Sequence, residues 1–160
     1  MNILLRKIQV VLTPKTKFLQ TKLANGAIVY GKNTQGFGGR GIYIYRDAIE
    51  PEFEHLEKFL DTEGVFIDVG ANTGIYTIKA AKYFNNKGTV LAIEPFPDVF
   101  ATLFQSIQIN EFTNVRLRNF CAGEHTGTGT LWMNHNKPNE KPEVFGYPNV
   151  IFNRFFLNNV

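Results

Sequence analysis

Asp68 and Glu94 are the two acids whose setting points to chemistry. Asp68 interrupts an apolar run, Val65 to Val69, that reads as a buried strand. The run passes into Gly70-Ala71-Asn72-Thr73-Gly74 and then into a helical pattern. Strand, glycine turn and helix is how an α/β sheet offers the carboxyl end of its first strand to a nucleotide-like ligand. A second run, Thr89 to Ile93, ends in Glu94-Pro95, and Glu94 stands 20 residues after Gly74. A carboxylate at that point is where a ribose is held, because its two oxygens accept hydrogen bonds from two vicinal hydroxyls. The turn is spaced G-x-x-x-G, with Ala71 and Asn72 inside it, and the chain has no P-loop. A pyrophosphate needs the more open G-x-G-x-x-G backbone. The turn therefore suits a ligand with a ribose and no phosphates, such as S-adenosylmethionine. A nicotinamide-dependent Rossmann enzyme is the rival reading, and the missing central glycine argues against it.

Residues Phe66 to Thr77, together with Ala92-Ile93-Glu94-Pro95, resemble the FkbM family of S-adenosylmethionine-dependent methyltransferases, whose turn reads D-x-G-A-N-x-G and whose second strand ends in E-P. The likeness extends, more weakly, over roughly residues 23 to 133. The resemblance implies a class I methyltransferase Rossmann-like sheet, S-adenosyl-L-methionine as cofactor, and O-methylation of a hydroxyl on a sugar, polyketide or other small molecule. Asp68 is expected to order the turn and lie near the cofactor's ammonium, the alternative being a structural acid that bonds turn amides. Gly70, Ala71 and Gly74 allow the backbone to approach the ligand, or merely make a strand-to-helix turn. The resemblance sets Asn72 beside the methionine part, and Glu94-Pro95 at the ribose. Phe96 packs on adenine or is an ordinary core residue, and Cys121-Ala122 lie along the adenine edge. The family carries an acidic D-V-E-G stretch on its fourth strand. No D-V-E-G occurs here, and the one D-x-E-G, Asp61-Thr62-Glu63-Gly64, precedes the first strand and does not lie on a fourth, so no catalytic residue is named. A third reading follows from that gap: a non-catalytic module that holds cofactor or a partner chain.

The rest of the chain must position these residues. Its 160 residues, 44% hydrophobic and 19% charged, suffice for a folded core. One cysteine excludes an internal disulfide and fits a reducing cytoplasm. The three histidines lack metal-ligand spacing, so no metal is expected. Residues 1–46 hold eight of the 17 Lys and Arg and no acid, leaving nine bases against all 14 acids in the remainder. The basic residues are scattered, which reads as a solvated face, not a nucleic-acid site. The N-terminal dozen residues are apolar around Arg6-Lys7, too short and too charged to span a bilayer. They read as an amphipathic helix packed on the domain, with a membrane-surface helix as the alternative.

The pattern divides into a helix and β-rich lead-in over 1–46, a cofactor-binding β-α-β-α-β half over 47–133, and an irregular tail over 134–160. In the lead-in, Asn25-Gly26 marks a hairpin between runs ending at Leu23 and starting at Ala27. Gly36 to Gly41 read as a loop with no helix after it, and Ile42 to Tyr45 as a strand. Phe53, Leu56, Phe59 and Leu60 predict one helix over 52–60. A helix from Gly74 turns Lys79 and Lys82 outward and stops at Asn85 to Gly88. Asp98 caps a helix carrying Leu103 and Ile107, a third strand runs from Val115 to Phe120, and Thr128 to Met133 form a hairpin strand. Trp132 reads as core. Only half of a seven-stranded methyltransferase sheet is legible. The Asp68 strand is therefore expected to keep one open apolar edge, and the chain to be the front part of a longer protein that is poorly soluble and catalytically silent alone.

Overall fold

A computed structural model describes residues 1–35, 38–135 and 143–154. Helix α1 (Ile3–Leu12) opens the fold, with the Asn2 side chain accepting the Leu5 amide at its start. Strands β1 (Phe18–Lys22) and β2 (Ile28–Lys32) form the expected antiparallel hairpin, with Gly26 at φ +85° in the turn. Helix α2 (Arg40–Tyr45) and 3-10 turns over Arg46–Ile49, Pro51–Glu54 and Leu56–Phe59 lead to the central unit. That unit is β3 (Val65–Val69), α3 (Ile75–Phe84), β4 (Thr89–Ile93), α4 (Pro97–Ile109) and β5 (Val115–Arg118). Its three strands are parallel, in the order β3-β4-β5. A second sheet holds β6 (Cys121–Gly123), β7 (Gly127–His135) and β8 (Glu143–Arg154), in the order β6-β8-β7. Among the described residues no helix is long and apolar enough to cross a membrane.

The parallel sheet is the α/β arrangement that the strand-turn-helix pattern predicts. Central β4 is buried almost throughout, whereas among the described residues β3 pairs only with β4, and its end residues Val65 and Val69 are more than half exposed. The Asp68 run is thus an apolar edge strand, not a buried one. The lead-in and the central unit share one core. Leu23, Ala27, Val29, Ile42 and Phe53 pack with Ala71, Ile75, Ile78, Ala92, Leu103 and Ile107. The outer edge of β2 is satisfied by side chains of α4 and of Asn110, which caps its end. Asn110 bonds both the amide and the carbonyl of Ile28, and Ser106 does the same for Tyr30. Ser106 and Asn110 lie four residues apart, so one helix face presents both to the strand.

Several segments differ from the sequence reading, each for a physical reason. Ile42 to Tyr45 belong to a six-residue helix, so the glycine loop does lead into a helix. Ile42 and Ile44 are both buried there, and Tyr43 bonds back to the Gly39 carbonyl. The β-branched and aromatic residues favour a strand, but tertiary contacts override that weak preference. Residues 52–60 make two 3-10 turns, not an α-helix. The spacing of Phe53, Leu56 and Phe59 is three, the 3-10 period, and Phe59 ends 84% exposed. Helix α4 begins at Pro97 after an extended Phe96, so Asp98 sits inside its first turn and does not cap it. The third strand stops at Arg118, and Cys121 opens β6. The tail is not irregular throughout, since β8 is 12 residues long. Gly146, Pro148 and Asn149 break its alternation, Asn149 lies at φ +60°, and the β7–β8 register shifts between Gly129 and Leu131. The Trp132 side chain lies outside the described residues.

Candidate functional site

The turn after β3 hangs from the end of β4. The Gly70 and Ala71 amides both donate to the Ile93 carbonyl, at 2.8 and 3.0 Å. The Asn72 amide donates to Glu94 Oε2 at 2.8 Å, and the Phe96 amide to Oε1 at 2.9 Å. Glu94 is 3% exposed. It is not a solvent-facing acid but a buried carboxylate that ties the turn to the strand tip. Those two bonds occupy two of its roughly four acceptor positions. Asn119, just beyond β5, donates to the Glu94 and Pro95 carbonyls and fixes the same tip.

Asp68 serves α3. Its Oδ2 accepts the Thr77 amide at 3.1 Å and the Thr77 hydroxyl at 2.6 Å. Thr77 is the third residue of α3, so Asp68 satisfies one of the amides a helix start leaves without an intrahelical partner and places a carboxylate at the positive end of the helix. Gly70 (φ +78°), Asn72 (φ +53°) and Gly74 (φ +81°) all take left-handed backbone. A Cβ on Gly70 would meet nothing within 4 Å, whereas one on Gly74 would run into the Leu103 side chain. Gly70→Ala should therefore cost about 1 kcal/mol of backbone strain alone. Gly74→Ala should cost about 2–4 kcal/mol, because overpacking against α4 is added. Urea midpoints of the two variants check this, and equal losses would show that Leu103 gives way freely.

A cleft of about 470 Å³ opens on the Asp68 side of the turn. Its walls are Arg40, Gly41, Ile42, Ile44 and Tyr45 of α2, Ile49 and Glu50, and the turn residues Asp68, Gly70, Ala71, Asn72 and Thr73 with Tyr76. The volume falls in the range that holds small molecules. The Asn72 Oδ1 atom is buried and has no hydrogen-bond partner. Such an atom is rare unless a ligand or water completes it. Of the residues singled out in the sequence, Asp68, Gly70, Ala71 and Asn72 line this cleft. Gly74 faces Leu103 instead. Glu94, Pro95 and Phe96 form the β4 tip beneath the turn, and Phe96 is buried. Cys121 and Ala122 lie half-buried in β6, in the other sheet. Among the described residues no cluster of three metal-ligating side chains forms.

Sequence reasoning missed Thr77, Asn119, Arg40 and the Asp47–Lys79 pair. Thr77 was findable as a hydroxyl at the third position of the helix, and the other three carry no local signal. Lys79 does not turn outward. It is 7% exposed and pairs with Asp47 at 2.7 Å, while Lys82 faces solvent.

Burial lifts the Asp68 carboxyl above its ordinary range against the pull of its two Thr77 bonds. Burial likewise lifts Glu94, opposed by the Phe96 and Asn72 amides and aided by the charge of Asp68. An acid raised in the folded state contributes stability that is complete below its unfolded pKa and lost as pH rises through the folded value. The wild-type thermal midpoint should therefore fall relative to that of Glu94→Gln as pH rises from the ordinary carboxylate range. A wild type that gains on the variant over that interval would show the two amides outweighing burial.

The fold and site define an α/β protein with a parallel three-stranded sheet and a glycine turn over its carboxyl ends. No protein-family model matches the chain, and no curated protein matches it. The likeness to FkbM methyltransferases thus rests on the sequence pattern, chiefly the turn and the Glu94-Pro95 pair.

Proposed function

We propose that this chain carries the cofactor-binding half of a class I methyltransferase that uses S-adenosylmethionine. The observation that carries the reading is the turn itself. Gly70 to Gly74 are held at the carboxyl end of β3 by the tip of β4 and flank a cleft whose wall includes a buried, unsatisfied Asn72 Oδ1. A ligand with a polar amino-acid end suits that wall. Asp68 and Glu50 supply negative charge toward an ammonium, and Asn72 offers an unused acceptor. Glu94 keeps acceptor capacity for a diol beside Asn72. When bound, the cofactor would supply an electrophilic methyl group on a sulfonium. The residues here bind and orient it in the cytoplasm, and the acceptor would be a hydroxyl of a sugar, polyketide or other small molecule.

Calorimetry on the full chain with S-adenosylmethionine, S-adenosylhomocysteine and NAD tests the reading. Micromolar binding of the first two and none of NAD is expected. Micromolar NAD binding without S-adenosylmethionine would replace it with the nicotinamide reading. Cofactor binding with no transfer to any hydroxyl acceptor would assign the non-catalytic module, which the lack of a D-V-E-G stretch beyond the third strand favours.

A further inference from the structure

Helix α1 is packed the unusual way round. The residues it buries are Arg6 and Val10, and Arg6 Nη1 donates to the Tyr43 carbonyl at 3.3 Å. Its other apolar residues point away from the domain. Leu4, Leu5, Ile8, Val11 and Leu12 are all exposed, Val11 by 74% and Leu12 by 79%. At 100° per residue these five fall in one arc of about 120°, opposite Arg6 and Val10. The helix is held rigidly in that orientation. The Val10 carbonyl accepts from Asn33 and Arg40, and the Gln9 side chain accepts from the Tyr43 hydroxyl.

The charged side chains of this N-terminal segment have one sign. Lys7 borders the arc, and Lys15 and Lys17 follow the helix directly, both exposed. No acid occurs in the first 46 residues. We propose that α1 docks the protein onto a membrane surface rich in anionic lipid, its apolar arc sinking into the headgroup boundary and the lysines meeting lipid phosphates and carboxylates. An interfacial helix needs an apolar face, flanking cations and a surface of opposite charge. The first two are built here, and the domain has already ordered the helix, so docking costs no folding of a free segment. A second copy is the weaker occupant. A two-fold pairing of α1 on α1 sets Lys7, Lys15 and Lys17 against their own copies, with no acid in the first 46 residues to offset them.

Flotation of the full chain with vesicles tests this, because aggregated protein sinks while bound protein rises. Vesicles of phosphatidylcholine with about 30% phosphatidylserine should bind at least about tenfold better than phosphatidylcholine alone, with the preference shrinking as salt rises. Replacing Leu4, Val11 and Leu12 by Ser should reduce binding at least tenfold and leave the circular dichroism unchanged, since all three side chains lie outside the fold. Lys15→Gln with Lys17→Gln should remove most of the preference for anionic vesicles. Equal binding to both vesicles, or a triple variant that floats as well as wild type, would overturn the proposal. So would dimerisation in sedimentation equilibrium that the triple variant abolishes while vesicles bind nothing.

Discussion

Asp47→Ala is expected to destabilise the fold by about 3 kcal/mol, although Asp47 is partly exposed and lies far from the turn in sequence. The loss comes from what the substitution leaves behind. Lys79 projects from α3 with its ammonium 2.7 Å from Asp47 Oδ1 and 4.9 Å from the centre of the Phe53 ring. Without Asp47 a buried ammonium keeps only the ring face, and an unpaired buried charge is among the most destabilising changes a domain meets. Asp47 also accepts the Ala24 amide at 2.8 Å, so one carboxylate ties the hairpin turn to α3. Burial works to raise the Asp47 pKa, but the bond and charge of Lys79 and the Ala24 amide outweigh it and hold the group below its ordinary value. That part of its contribution is present above the unfolded pKa and is lost as pH falls through the folded value. Lys79→Met is the control. It keeps the packed stem and leaves Asp47 partly solvated and still bonded to Ala24, so about 1 kcal/mol is expected. Adding Lys79→Met to Asp47→Ala should recover most of the loss in denaturant titrations. Equal losses from the two single variants would mean that the ammonium reaches water.

That pair also marks where reading the chain stops working. Lys79 sits among Ile75, Ile78 and Ala81 in a pattern that assigns it to the solvent side, and nothing local announces an acid 32 residues earlier. The same holds for residues 40–45, where alternating Ile and Tyr suit a strand while the packed environment selects a helix. Strand β8 was hidden because a Gly, a Pro and a left-handed Asn interrupt its period. The hairpin at Asn25-Gly26, the turn at Gly70 to Gly74 and the parallel sheet were legible because each rests on a local requirement. A left-handed backbone selects glycine or asparagine, and a short apolar run selects a strand. The site was legible as a place more than as a set of roles. Asp68 and Glu94 do stand at adjacent strand ends, but their bonds go to Thr77, Asn72 and Phe96. Backbone partners of a carboxylate leave no trace in residue type.

Glu94→Ala should show how far the structural and the ligand-binding uses of one carboxylate coincide. A residue at a strand end facing solvent could be removed with the fold intact. Glu94 is buried and receives the Asn72 and Phe96 amides, so its loss strands two backbone donors at the base of the turn. Each unsatisfied amide costs about 1–3 kcal/mol, which gives an expected loss of about 2–6 kcal/mol in denaturant titration. S-adenosylmethionine affinity should fall at least about tenfold, because two charge-assisted bonds to a ribose are each worth about 1.5–3 kcal/mol. Glu94→Gln separates the two effects. Its carbonyl oxygen still accepts one amide, so about half the stability should survive, while its amide group cannot accept from the second hydroxyl. Calorimetry at low temperature, where both variants remain folded, should therefore find weak binding in each. An affinity within twofold of wild type in a destabilised Glu94→Ala would confine Glu94 to the turn and put the ribose elsewhere. Unchanged stability would mean that water enters and satisfies the Asn72 and Phe96 amides as soon as the carboxylate leaves.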